Sequence, residues 1–307
     1  MIRGSFINKR VDIGGLVLEN PIMPASGTFG PEMESVIDFN LLGAIVPKSI
    51  TLDPRSGNKT PRVCETVAGM INSIGIQSKG IQYYMDHYVP FYSKFTPPLI
   101  SSLSADSIDE FAEIAHIVTQ SDDVAAIELN ISCPNLKGNG LAFGMDPEVT
   151  FKLIKEVRAV THKPIIAKLS PNVTSIQEIA LAAEEAGSNS LNVANTLLAM
   201  SIDVHTRKPK IGNVMGGLSG PAIKPVIIRM IYQVAQVVKI PIIGCGGVSS
   251  GEDAIEMMLA GASAVQVGTS SFIQPDAMLR ILNEIDSYMN QHEMTDVRDL
   301  IGKIEIG

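Results

Sequence analysis

PIIAKLSPNVTSIQEIALAAEEAGSNSLNVA, residues 164–194, holds one complete strand–helix–strand unit. The apolar run 165–169 has the length and composition of a buried strand, and 191–194 reads as a second. Between them Ser175 and Glu178 stand at the spacing of a capping box, which predicts a helix over 174–186. Ile176, Ile179, Ala180 and Ala183 fall on one face of that helix, and Gly187 ends it.

Working outward, the same rhythm recurs. Strand-like runs stand at 21–25, 44–47, 99–103, 127–131, 240–244 and 264–267, with helical patterns between most of them. The helix expected over 251–260 carries Ile255, Met258 and Leu259 as its apolar stripe and stops at Gly261. Residues 5–18 alternate loosely around Asn8-Lys9 and Gly14-Gly15 and suggest a short β-hairpin ahead of the main fold. Eight strands alternating with helices indicate a parallel sheet, and eight such units match a (β/α)8 TIM barrel. The alternative is an open doubly wound sheet, but the first strand exits into Ala25-Ser26-Gly27-Thr28 and not into G-x-G-x-x-G. The expectation is therefore a single barrel domain over 1–307, a length that one α/β barrel ordinarily reaches.

The bulk numbers exclude several classes. With 24 basic against 32 acidic residues the formal net charge is −8, which argues against nucleic acid or an anionic membrane surface as the main partner. No run of eighteen apolar residues occurs and the first fifteen residues lack a signal-peptide core, so a cytoplasmic protein is expected. Cys64, Cys133 and Cys245 are too few and too scattered for a disulfide framework, a zinc site or an iron–sulfur cluster. The five histidines show no ligand spacing, so no metal is expected. Asn130-Ile131-Ser132 matches the glycosylation triplet, which is chance without a secretory signal.

In a barrel, chemistry sits at the C-terminal ends of the strands. Those ends carry Ser26-Gly27, Lys48-Ser49, Ser102, Asn130 with Cys133, Lys168, Asn195-Thr196, Gly246-Gly247 and Gly268-Thr269. Strand ends drawn at random are mostly aliphatic, so this polar set points to a site. Cys133 follows a strand and precedes a loop holding Gly138, Gly140 and Gly144, before Asp146-Pro147 opens a helix. A reactive cysteine under a lid over 135–144 is one reading; a small apolar residue closing a strand is the other. Gly246-Gly247 and Gly268-Thr269 follow the last two strands, where barrels hold phosphate on backbone N–H groups; the alternative is tight turns that need glycine. Strand alternation aims Lys168 into the barrel mouth, against developing negative charge or paired with Glu128. Tyr83, Tyr84, Tyr88, Phe91 and Tyr92 suit either a subunit contact or packing on the barrel.

The motifs NISCPN, PKS, NSIG at 72–75, AKLSPN, ANT at 194–196, GGLSGPAIKP at 216–225, GCGG and QVGT together resemble dihydroorotate dehydrogenase over almost the whole chain. A cysteine after the fourth strand, in place of serine, resembles class 1. NSIGIQSKG and SCPNLKGNGLAFGMDP are similar to the catalytic subunit of class 1B. The resemblance implies an FMN barrel that oxidises dihydroorotate to orotate in pyrimidine synthesis. Cys133 would take the C5 proton as the C6 hydride passes to the flavin, with Lys48 near both. It implies substrate contacts at Lys48, Asn72, Ser73, Ile74, Gly75, Ile76, Asn130, Asn195 and Thr196. FMN contacts are implied at Ser26, Lys48, Ser49, Ser102, Asn130, Lys168, Ala194, Gly220, Gly246, Gly247, Gly268 and Thr269, with Lys168 at the flavin N1/O2 edge.

Three positions depart from the family pattern. Ser102 stands where asparagine usually contacts FMN, Ser49 where a smaller residue is common, and Ala199 where glycine is usual. The resemblance also implies a partner subunit carrying FAD and a 2Fe–2S centre, joined to a homodimer of this chain as a heterotetramer. That subunit would pass electrons to NAD+, for which this chain has no dinucleotide fingerprint. Competing readings are a class 1A homodimer reducing fumarate, a flavin barrel acting on another pyrimidine, and a phosphate-binding barrel without redox chemistry.

Overall fold

Parallel strands dominate the computed structural model, which describes residues 7–132 and 143–307. They are β1 (Ile22–Pro24), β2 (Leu99–Leu103), β3 (Val124–Asn130), β4 (Ile165–Lys168), β5 (Ser190–Val193), β6 (Ile242–Cys245) and β7 (Ala262–Val267). Their order in the sheet is β1–β7–β6–β5–β4–β3–β2, so each strand from β2 onward lies beside its sequence neighbour. The main crossover helices are α1 (Ile108–Thr119), α2 (Pro147–Val160), α3 (Ile176–Glu185), α4 (Lys224–Ala235) and α5 (Gly251–Ala260). After β7, α6 (Ala277–Gln291) packs back on α5. One cluster of buried apolar side chains runs from Val11 to Leu300.

Local signals set these elements. Ser175 caps α3 by accepting from the Glu178 backbone N–H, and Ile176, Ile179, Ala180 and Ala183 are its buried face, as its spacing predicts. Asp146 caps α2 on the Val149 N–H, with Pro147 as the first helical residue. In α5, Ile255 and Met258 are buried as expected, joined by Ala254 and Met257, while Leu259 is only half-buried. The N-terminal hairpin pairs Val11–Asp12 with Val17–Leu18, and Asp12 Oδ1 accepts from the N–H groups of Gly14 and Gly15 at 2.7 Å each.

The expected strand at 44–47 is a correction. It makes no ladder: Ile45 forms one isolated bridge with Leu99, and Ile50 forms another with Leu103. Gly43 donates to the Ile22 carbonyl at 2.8 Å and Ile45 donates to Pro98 at 2.9 Å, so this segment touches both edge strands and the sheet is curled. Pro47 removes the donor a ladder would need. The architecture is therefore α/β with a curled seven-stranded parallel sheet, in place of eight equal units. The stretch from β1 to this segment also lacks an α-helix, carrying only the 3-10 turns Pro31–Ser35 and Phe39–Leu41.

A second sheet was not expected from the sequence. It is antiparallel, in the order Leu197–Met200, Met215–Ser219, Gly69–Asn72 and Val63–Thr66, and joins two excursions far apart in the chain. The aromatic segment packs inward: Tyr84 and Tyr92 are fully buried, and the hydroxyls of Tyr84 and Ser101 lie 2.7 Å apart. Burial pushes the Tyr84 phenol above its ordinary value. Among the described residues no helix is long and apolar enough to cross a membrane.

Candidate active site

A cavity of about 270 Å³ opens at the C-terminal ends of the parallel strands. Its floor is polar where strand registers bring three residues abreast: Asn130 of β3 opposite Lys168 of β4, and Lys168 opposite Asn192 of β5. Lys168 is 4% exposed and donates to Gln266 Oε1 at 3.1 Å. Gln266 donates in turn to Glu128 Oε2 at 2.7 Å, so Lys168 meets Glu128 through an amide and not by the direct ion pair weighed from the sequence. Burial works against the Lys168 charge, but Cys245 and the Glu128 carboxylate outweigh it and hold the ammonium above its ordinary value. Burial pushes the Cys245 thiol up, so it stays protonated at neutral pH although Lys168 opposes this.

One side of the cavity is a glycine cradle. Gly246 and Gly247 have φ of +131° and +86°, and Gly268, Thr269, Gly220, Ala194 and Ser26 line the same cavity. A Cβ on Gly247 would lie 2.8 Å from both the backbone N and the Cα of Lys224, where α4 begins. Only glycine brings the strand exit this close to a helix N-terminus, a place that favours an anionic group. Thr269 donates to Ser219 Oγ at 2.8 Å. Beneath the cradle, Lys224 pairs with Asp253 and Glu256 at 2.7 Å each. Asp253 also accepts from the Ser249 N–H and hydroxyl, which ties the loop after Gly247 to α5.

The opposite wall is the antiparallel sheet. Asn72, Ile74, Gly75 and Ile76 line the cavity from one excursion. Ile76 is held at φ +50°, unusual for a β-branched residue. From the β5 exit come Asn195 and Thr196: Asn195 Nδ2 donates to Asn130 Oδ1 at 3.1 Å, and its own Oδ1 accepts from the Thr196 N–H at 2.8 Å. Asn72 and Gly217 are paired in register. Thr196 packs so tightly on Gly217 that any Cβ there would collide with its side chain. Lys48 and Ser49 line the remaining side, with the Ser49 hydroxyl 2.9 Å from that of Ser102.

Most of the expected site residues therefore surround one cavity. Ser102 and Ser73 do not line it. Ser102 is fully buried behind Ser49, and the Ser73 hydroxyl accepts from Asn58 at 2.9 Å and from Asn213 at 3.1 Å. Ala199 pairs with Gly216 on the edge strand and does not line the cavity either. Cys133 and positions 135–142 of the expected lid lie outside the described residues. Val63, Met70, Ser219, Val248 and Phe272 line the cavity without having been singled out, as does Cys245. Gln266 and Asn192 were missed too. Each is a polar residue inside an apolar strand, the same signal that marked Lys168.

The family model for dihydroorotate dehydrogenase matches residues 9–289. The chain is 47% identical over 298 residues to "Dihydroorotate dehydrogenase B (NAD(+)), catalytic subunit" of Geobacter sulfurreducens, covering 96% of this chain and 98% of that one. The protein of the same name from Desulforamulus reducens is 48% identical over 298 residues, with the same coverage. That of Alkaliphilus oremlandii is 46% identical over 299 residues, covering 97% and 99%. With a cavity at the strand ends and matches along nearly its whole length, the chain belongs to the dihydroorotate dehydrogenase family, on the branch of the class 1B catalytic subunits.

Proposed function

We propose that this chain oxidises dihydroorotate to orotate using FMN, in the pyrimidine synthesis of the cytoplasm. The observation that carries the reading is the placement of the buried Lys168 ammonium between a glycine cradle and a cluster of asparagines. The residues fit the cofactor. Gly246, Gly247, Gly268, Thr269 and Gly220 offer backbone and hydroxyl groups to a phosphate, and Lys168 offers a positive charge to an electron-rich ring edge. Bound FMN supplies the acceptor for the C6 hydride.

The chain's own residues supply the rest. Asn72, Asn130, Asn195 and Thr196 present amide and hydroxyl groups that hold a planar pyrimidine by its donor and acceptor edge. Lys48 stands at the same cavity, where its charge favours an anionic substrate. Cys133, assigned by the family resemblance, takes the C5 proton; a thiol is a suitable base there once electropositive surroundings lower its pKa. The isolated chain is expected to bind one FMN non-covalently, and anaerobic dihydroorotate should bleach it. A folded, colourless protein that takes up no FMN on reconstitution would sink the reading.

The eighth barrel position belongs to the segment 43–47, whose hydrogen bonds to both edge strands support a closed barrel within one domain over 1–307. Onward electron transfer needs a partner subunit with FAD and a 2Fe–2S centre, on a homodimer of this chain. The relatives' name, with NAD(+) and a catalytic subunit, supports that reading over the class 1A alternative. Steady-state assays of the chain alone with NAD+, fumarate and a dye separate the two. Slow NAD+ and rapid dye reduction are expected, and rapid fumarate reduction would move the assignment to class 1A.

A further inference from the structure

Below the cavity floor, polar side chains occupy the interior of the parallel sheet, where apolar packing is the rule. Glu128 of β3, Asn192 of β5 and Gln266 of β7 are fully buried, and Glu128 is the one buried carboxylate among the described residues. Glu128 Oε2 accepts from Asn192 Nδ2 at 2.8 Å and from Gln266 Nε2 at 2.7 Å. Gln266 Oε1 accepts from Asn192 Nδ2 at 2.7 Å and from Lys168 Nζ at 3.1 Å. The Gln266 amide thus has one orientation: its NH2 faces the carboxylate and its carbonyl faces the ammonium. An ammonium this buried keeps its proton only with a negative charge in reach.

We propose that Glu128 is a positioning residue: through the Gln266 amide it holds Lys168 as an ammonium directed at the cavity floor. In the flavin enzyme this keeps a positive charge under the ring edge throughout the neutral pH range. That second half rests on the FMN reading; the hold on Lys168 does not. The titratable groups facing Lys168 are Glu128 from β3 and Cys245 from β6. Asn130, Asn192 and Gln266, from β3, β5 and β7, are neutral, and Lys48 lines the same cavity. Cys245 also raises the ammonium, although burial pushes its own thiol up; the hydrogen-bonded path from Lys168 runs through Gln266 to Glu128.

The test is an NMR titration of the full-length chain without flavin, using ¹³C-labelled lysine, with the Lys168 signal assigned by its loss in Lys168→Met. In Glu128→Gln, which keeps the shape of the side chain, the protonation constant of Lys168 should fall tenfold or more. Gln266→Leu removes the relay but keeps the charge, and should give a smaller fall; it carries the test if Glu128→Gln yields no folded protein. Cys245→Ala should leave the titration in place. In the reconstituted chain, FMN affinity should be flat from about pH 7 to 9 in the parent and decline over that range in Glu128→Gln, as the lysine neutralises. A folded Glu128→Gln protein in which Lys168 titrates as in the parent overturns the proposal. So does a larger shift from Cys245→Ala. Failure to take up FMN ends the flavin reading and leaves the Lys168 titration to decide this one.

Discussion

The floor and the wall of the cavity follow opposite plans. The floor is the carboxyl edge of a parallel sheet, where Lys168 is tied to Gln266, Asn192 and Glu128, which are buried beneath it and bonded to one another. The wall is antiparallel, assembled from strands near residues 70 and 217, and its Asn72, Asn195 and Thr196 are only half-buried. A buried, cross-bonded floor, in which only Glu128 Oε1 and Asn192 Oδ1 lack a partner, suits a resident group that stays through turnover. A half-exposed wall with spare donors and acceptors suits a small ligand that enters and leaves. Substitutions in the two regions should therefore fail differently: floor variants lose cofactor, and wall variants lose substrate.

The largest effect expected belongs to neither class. Cys133→Ser should slow anaerobic flavin reduction about a hundredfold or more at neutral pH while FMN content and dihydroorotate affinity hold, because only a base is lost. The rate should climb with pH, since a serine hydroxyl ionises far above a thiol. Stopped-flow rates equal to the parent from about pH 6 to 9 would remove Cys133 from that role.

Gly247→Ala tests the cradle. Its Cβ would press on the Lys224 backbone, and the left-handed conformation adds about 1–3 kcal/mol of strain. FMN affinity, read by fluorescence quenching, should drop about ten- to a hundredfold, and the flavin-replete fraction should keep its KM. Gly217→Ala tests the wall, because its Cβ would displace Thr196. There KM for dihydroorotate should rise about tenfold, the scale of one lost hydrogen bond, with FMN content unchanged. FMN loss in Gly217→Ala together with a KM change in Gly247→Ala would break the division between the cofactor side and the wall.

The smallest effect lies behind the cradle. Burial alone would raise the Asp253 carboxyl, but Lys224 and the two Ser249 groups hold it below the usual carboxylate range. A depressed folded-state value means stability that is present above the unfolded value near pH 4 and lost as pH falls through the folded one. Asp253→Asn should cost about 0.5–1 kcal/mol at neutral pH, allowing for solvent screening, and should flatten the acid limb of the melting curve. An acid limb as steep as the parent's would show that Asp253 does not carry it.

How much of each region the sequence disclosed follows from how local its causes are. The unit from β4 through α3 to β5 was readable because Ser175, Glu178 and Gly187 act within a few residues of the helix they start and stop. Lys168 was readable as a charge in an apolar run. The antiparallel sheet was not: Met215–Ser219 carries two adjacent glycines, which give no strand signal, and they are there because Thr196 approaches Gly217 from another segment. The segment at 44–47 misled for the converse reason, since its apolar composition fits a strand while Pro47 lacks the donor to extend one. Gln266 and Asn192 carried the same mark as Lys168, yet their joint role depends on distances across the sheet interior that no spacing along the chain encodes.

The pairing of Asn72 with Gly217 spans 145 positions. On a ribosome, the hairpin ending at Asn72 emerges that many residues before its partner strand, a wait of roughly 7–30 s at ordinary elongation rates. Through that interval a nascent chain exposes an unpaired strand edge to its neighbours on the same message. The segment that later lines the cavity thus gains its partner strand only once the chain is finished past Ser219.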